Sequence, residues 1–158
     1  MDEQAKKTAL RTITYGLYIL GASHNGEKSA ACINWLTQAS FAPPLVAIGV
    51  KKESGAFAMI KESRSFTISF LEAGQGGIAG AFFKPTVLED GKLNGYAFTE
   101  ASSGAPIISD ALSWVEGKVV NIDETGDHAV VIGEVTDAGV HREGEGLPLK
   151  ELGAFYGG

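Results

Sequence analysis

"INWLTQASFAPPLVAIGV", Ile33 to Val50, sets two unlike textures side by side. Asn34, Trp35, Thr37, Gln38 and Ser40 crowd a stretch where a buried strand calls for apolar side chains. Pro43-Pro44 then bars regular strand pairing, because proline has no backbone donor. "LVAIGV" follows at once, an apolar run of strand length. A polar segment set against one of the best buried strands raises the question of what those side chains meet, and the flanking sequence supplies the rest of the sheet.

Upstream, "ITYGLYIL" places Ile13, Tyr15, Leu17 and Ile19 at period two, with β-branched and aromatic residues, which predicts a strand. Asn25-Gly26 is a hairpin turn signal, since both residues tolerate positive φ. "SAACINWL" is then the return strand. "EQAKKTALRT" at the start reads as a short helix of good helix formers. Downstream, "SGAFAMIKES" is a short helix with Ser54 as its N-cap, and "SFTISFL" is a further alternating strand. From Glu72 to Pro106 the chain holds a glycine cluster, the apolar piece "IAGAFF", a turn at Asp90-Gly91 and a short strand "YAFTE". "ALSWVEGKVVNID" and "HAVVIGEVTDAGV" pair across "ETGD", and the glycine-rich tail "HREGEGLPLKELGAFYGG" is extended.

Strands outnumber helices, and short turns join the clearest pairs, so those pairs are antiparallel. Closing about six strands into a barrel removes exposed edges. The expected fold is mostly β with short helices, a small antiparallel barrel. The 158 residues are one domain by size, spanning 1–158, with a sizeable core.

Composition excludes several classes of function. A net charge of −6 opposes general nucleic-acid binding, which needs a basic face. No apolar run reaches the roughly 18–20 residues of a membrane span, and the N-terminus lacks a signal-peptide core, so a cytoplasmic protein is expected. The single cysteine, Cys32, forms no internal disulfide and reads as packing. His24, His128 and His141 are scattered without ligand spacing, so no metal site is expected, and they read as surface or loop residues. No G-x-S-x-G turn is present. Gly74, Gly76 and Ala79 imitate a dinucleotide fingerprint, with Glu100 downstream. However, the helix after them runs only to about Phe83 before Pro85 stops it, too short for the parallel crossover such a site needs. No catalytic acid or base stands out.

The run from Asn34 to Ser40, the following x-x-Pro43-Pro44, the apolar strand and "KKESGAFAMIKES" together resemble the signature of the flavin reductase-like family, the FMN-binding split barrels. The likeness continues through "YGLYIL", "IAGAFF" and "SGAPIISDALSWVEGKV", nearly the whole chain. It is nearest to the branch of rubredoxin-linked oxidoreductases and the C-terminal modules of diflavin flavoproteins. The resemblance implies an antiparallel split barrel and a homodimer with FMN near the subunit interface. A flavin needs donors and acceptors along one edge and an apolar wall for its ring. The polar half is assigned to Asn34, Thr37, Gln38 and Ser40, and apolar contact to Trp35, Leu36, Phe82 and Phe83. The alternative for Asn34 to Gln38 is a solvated strand face. Lys51 and Lys52, directly before the helix capped by Ser54, form the best phosphate site, with Lys84 a second candidate cation.

The family tail P-L-x-Y-H-x-G-x-Y contributes a histidine to nicotinamide binding. "PLKELGAFYGG" matches it at Pro148, Leu149, Gly153 and Tyr156 but has no histidine, so the expected electron donor is either NAD(P)H or a rubredoxin- or ferredoxin-like protein. The resemblance implies a flavoprotein oxidoreductase that reduces flavin or relays electrons. The competing readings are a non-enzymatic FMN carrier and a protein-interaction module on the same fold.

Overall fold

The structure, a computed structural model, describes residues 1–157. Asp2 caps the first helix, α1 (Glu3–Leu10), its carboxylate accepting from the Gln4 and Ala5 amides. A hairpin follows, β1 (Tyr18–His24) and β2 (Glu27–Ile33), turned at Asn25 and Gly26 with φ of 50° and 81°. Next come β3 (Leu36–Ser40), β4 (Leu45–Lys51), α2 (Gly55–Ser63) and β5 (Ser65–Phe70). The middle of the chain holds α3 (Gly76–Ala81), the two-residue strands β6 (Leu88–Glu89) and β7 (Lys92–Leu93), then β8 (Phe98–Glu100) and β9 (Pro106–Ile108). Two long strands, β10 (Ser113–Asp123) and β11 (His128–Val140), precede a 3-10 turn at Leu149–Leu152.

Seven strands form one antiparallel sheet in the order β2-β1-β5-β10-β11-β4-β3. Three strands separate β1 from β4, yet Leu20 and Ala22 of β1 share a single buried cluster with Val46, Ile48 and Val50 of β4. A flat sheet cannot bring those faces together, so the sheet curls. Ala56, Phe57 and Ile60 of α2 fill the same cluster, and α2 packs on β1, β2 and β4, bridging the two ends of the curl. The expected barrel is therefore open along one seam, between β2 and β3.

The seam stays open because the β2 edge is already occupied. Cys32 N–H donates to the Phe82 carbonyl at 3.0 Å, and Ala30 N–H to Thr86 Oγ1 at 2.9 Å. The segment after α3 thus stands where an eighth strand would be. β1 is buried on both faces: Leu17 and Ile19, just before and within it, join Ile78, Ala79 and Phe82 on the outside, while Leu20 and Ala22 face inward.

Two expectations shift. The first strand starts at Tyr18 instead of Ile13, because the β2 and β5 ladders both begin there, and upstream only a Gly16–Pro148 bridge is available. The return strand does not run through Asn34 to Leu36 but breaks after Ile33, and a separate strand resumes at Leu36. The dinucleotide imitation is settled by geometry, since α3 has six residues and the main sheet holds no parallel pair. Gly76 also serves its own chain, lying under Leu152, whose Cδ2 would sit 2.6 Å from an added Cβ. Gly158, the last residue of "FYGG", lies outside the described residues.

Phe66 shows how closely the interior of the curl is packed. It is fully buried, and its ring lies on the backbones of Gly117 and Gly133, where an added Cβ would meet ring carbons at 2.4 and 2.2 Å. Phe66→Ala empties that space and is expected to lower the unfolding free energy by about 3–5 kcal/mol in urea titration. A loss below about 1 kcal/mol would mean that the inside of the curl is not the main core.

Candidate functional site

A groove of about 870 Å³ runs along the open seam, between the β2 edge, the ends of β4 and β11, the start of α2 and the segment after α3. Its wall contains the two residues that cross the seam. Asn34 is 8% exposed and Trp35 half-buried. The Trp35 carbonyl accepts from Gly49 N–H at 2.8 Å, which anchors the link to β4. The Asn34 Nδ2 and Trp35 Nε1 donors are buried and have no hydrogen-bond partner among the described residues. A buried donor left alone costs about 1–3 kcal/mol, so two together mark a place where acceptors belong.

Trp35 owes its position to a missing side chain. Gly49 has no Cβ, and one added there would meet Trp35 Cε3 at 2.8 Å and Cβ at 3.0 Å. His128, 4.6 Å between ring centroids, and Tyr156 at 5.3 Å pack against the same indole, both at a tilt. His128 pairs in register with Lys51, which brings the start of β11 to the groove. His128 Nδ1 lies 2.9 Å from the Asp127 carboxylate and Nε2 lies 2.9 Å from the Tyr156 hydroxyl. A carboxylate only accepts, so Nδ1 carries the proton, and in the neutral ring Nε2 accepts from tyrosine. The same hydrogen bond, followed by the imidazole's charge, holds the Asp127 carboxyl below its ordinary value.

The other end of the groove is cationic and rich in amides. Ser54 caps α2, its Oγ accepting from Phe57 N–H at 3.1 Å. Ser54, Gly55 and Ala56 line this end of the groove, and the Gly55 and Ala56 amides, in the first turn of the helix, have no helical acceptor. Lys51 stands beside them, 61% exposed and only loosely paired to Glu53 at 3.9 Å. Lys84 lies on the opposite rim. Lys28 adds a third ammonium, 12% exposed and 2.9 Å from Glu100. Lys52, in the turn after β4, is engaged elsewhere and donates to the Glu124 carbonyl at 2.9 Å.

Of the residues singled out in the sequence, Asn34, Trp35, Lys51, Ser54, Phe82, Phe83 and Lys84 meet in this groove. Phe82 contributes mostly from beneath: its ring is 1% exposed, in the outer core beside Tyr96. Leu36, Thr37, Gln38 and Ser40 do not line the groove. The strand break at Asn34-Trp35 carries them onto β3, where Leu36 packs on the inner core and Thr37 and Gln38 are exposed. A single strand facing Asn34, Thr37 and Ser40 to one ligand is therefore not what the chain builds.

His128 and Tyr156 are the functional candidates that sequence reasoning missed. His128 was expected as a surface or loop residue, whereas it heads a strand and packs at a tilt against Trp35. Cys32 also lines the groove, but burial, partly offset by a backbone hydrogen bond at Tyr18, pushes its thiol up to about 12. It stays protonated at neutral pH and is no nucleophile. No cluster of metal-ligating side chains occurs among the described residues.

The model of the flavin reductase-like domain matches residues 10–152. The chain belongs to that family. Among relatives of this flavin reductase-like domain, diflavin flavoprotein A 1 of Synechocystis is 31% identical over 99% of the chain, but the chain spans only 28% of that protein. Ferric-chelate reductase (NAD(P)H) of Archaeoglobus fulgidus is 31% identical over 88% of the chain and 83% of its own length. High molecular weight rubredoxin of Moorella thermoacetica is 30% identical over 87% of the chain and 61% of its length. The chain thus corresponds to one part of the diflavin and rubredoxin relatives and to most of the reductase. Among solved structures, the NADH:FAD oxidoreductase of Streptomyces globisporus superposes with a TM-score of 0.78 at 28% identity, covering 91% of this chain and 80% of that one.

Gly49→Ala tests the local packing of the flavin reductase-like groove. The added methyl displaces Trp35 from β4, so its emission is expected to shift, with about 1–3 kcal/mol lost from overpacking. Gly55→Ala, where a Cβ meets open space, is the control and leaves the emission unchanged. Identical spectra for both variants would contradict the tight Trp35–Gly49 contact.

Proposed function

We propose that residues 1–158 form one flavin reductase-like domain that binds FMN in the seam groove and acts as an oxidoreductase, reducing flavin or relaying electrons. The observation that carries this reading is the pair of buried donors, Asn34 Nδ2 and Trp35 Nε1, without a hydrogen-bond partner among the described residues, in one groove with the first amides of α2. The residues suit the group. Asn34 and Trp35 offer donors to the carbonyl edge of the ring system, and Phe83 offers an apolar rim. Gly55 and Ala56 N–H, the Ser54 hydroxyl and the Lys51 ammonium offer a phosphate site where helix dipole and cation act together against the chain's negative charge. When bound, the flavin supplies the hydride and electron chemistry, while the protein orients and desolvates it.

The electron donor is the point on which two readings divide. The tail has no histidine, which favours a protein donor, as the rubredoxin in the name of the Moorella relative suggests. His128 nevertheless brings an imidazole to the groove from β11, and the Archaeoglobus and Streptomyces proteins are named for NAD(P)H and NADH. We favour NAD(P)H on the strength of His128. Anaerobic mixing of the FMN-loaded protein with NADH or NADPH is expected to bleach the flavin band. Bleaching only by a reduced rubredoxin would assign the protein donor instead.

A homodimer in the cytoplasm completes the proposal. Phe41, 90% exposed in the β3–β4 turn, and Val140, 72% exposed, are apolar surface that a second copy would cover. No helix among the described residues is long and apolar enough to cross a membrane.

Ser54→Ala tests the phosphate end. The lost cap lowers stability by about 0.5–2 kcal/mol. Loss of a hydrogen bond to a charged group, worth about 1.5–3 kcal/mol, weakens FMN binding by roughly one to two orders of magnitude. Riboflavin, with the same ring and no phosphate, is expected to bind nearly as before. Equal losses for FMN and riboflavin would place the phosphate elsewhere, with Lys84 next in line.

A further inference from the structure

The segment Ala154–Gly157 lies across the Trp35 end of the groove in an unusual way. Gly153, at φ 62°, turns the chain out of the Leu149–Leu152 turn, and its N–H bonds the Lys150 carbonyl. Beyond it, no main-chain to main-chain hydrogen bond holds the segment among the described residues. Four side-chain contacts do so instead. Tyr156 hydroxyl meets His128 Nε2 at 2.9 Å, and the Tyr156 ring packs on Trp35 at 5.3 Å. Phe155 lies under the Arg11 guanidinium at 5.5 Å, and the Gly157 carbonyl accepts from Arg11 Nε at 3.3 Å. Phe155 is 74% exposed and Tyr156 48%. The segment is held as a bound peptide is held, by pockets and a few polar contacts.

It also forms a partition. Ala154, Phe155 and Tyr156 line the groove on one side and a second cavity of about 260 Å³ on the other, bounded by Arg11 to Tyr15 and Pro148 to Lys150. That cavity offers the segment space to move into. Segments with few buried contacts and no backbone ladder open at low free energy, while the core around them stays folded.

We propose that Ala154–Gly157 is a displaceable strap, latched by Tyr156 on His128, that closes the Trp35 end of the groove and swings aside to admit a ligand there. The identity of that ligand rests on the flavin reading; the strap itself does not. While latched, Tyr156 occupies the face of Trp35 and one nitrogen of His128, so a planar ligand seeking either has to displace it. The apparent affinity is then reduced by the fraction of molecules in which the strap is closed.

The test uses Trp114→Phe protein, which leaves Trp35 as the one tryptophan, and compares three chains: unaltered tail, Tyr156→Phe, and a chain ending at Gly153. Acrylamide quenching of Trp35 reads the strap without any ligand, and stopped-flow mixing with FMN reads entry. Tyr156→Phe removes the latch and keeps the ring, so quenching and the FMN association rate are expected to rise by about two- to tenfold, the range set by one neutral hydrogen bond. The shortened chain is expected to show a larger rise with unchanged far-UV circular dichroism. If the shortened chain fails to fold, Tyr156→Phe decides alone. Equal quenching in the unaltered and Tyr156→Phe proteins would overturn the strap. Absence of flavin binding in all three chains would sink the flavin reading, and the quenching comparison would still decide the strap.

Discussion

The structure depends on a two-residue link that cannot join a ladder. Sheet order places β2 and β3 at opposite ends of a seven-stranded sheet, yet the chain connects them through Asn34 and Trp35 alone. The sheet curls because so short a link allows no other arrangement of its ends. The link then sits in a seam where neighbouring strands offer it few partners, which leaves Asn34 Nδ2 and the Trp35 indole N–H buried without a hydrogen-bond partner among the described residues. Filling the seam with apolar side chains would close it and remove the groove. The chain instead caps it from inside with α2 and covers the β2 edge with Phe82 to Thr86. The groove is what these two covers leave open.

Its two ends have different chemistry for structural reasons. One is the start of α2, where Ser54, the free amides and Lys51 make a compact positive site in a chain of net charge −6. The other is aromatic, where Gly49 lets Trp35 lie on β4 and the His128–Tyr156 pair covers it. The proposed ligand, with a phosphate at one end and a planar, carbonyl-edged ring at the other, is the one these two ends were assigned to. Shape and polarity therefore point to the same class of molecule as membership of the flavin reductase-like family.

Much of this was legible in the sequence, and the misses share a cause. Local signals carried well: Asn25-Gly26 turned the hairpin, Ser54 capped its helix, and "HAVVIGEVTDAGV" is β11 residue for residue. The absence of a parallel crossover was also readable, because length alone decides it, whereas α3 (Gly76–Ala81) lies in what read only as a glycine cluster and an apolar piece. What could not be read was pairing over distance. His128 reaches the groove only through its register with Lys51, 77 positions away, and Tyr156 only through the path of the tail. Thr37, Gln38 and Ser40 left the groove because the strand breaks at Asn34-Trp35, where nothing but neighbours in space forces the break. Polar texture singled out this stretch, and the seam decided which of its residues line the groove.

The most direct test of the seam as the flavin site is fluorescence from one side chain in it. In a Trp114→Phe protein, Trp35 is the sole tryptophan, and its indole lines the groove. Titration with FMN is expected to quench its emission in a saturable way, because a ring bound in the groove lies against it. Saturable FMN binding, seen by the flavin's own spectrum, with Trp35 emission unchanged would place the flavin elsewhere and contradict the seam as its site.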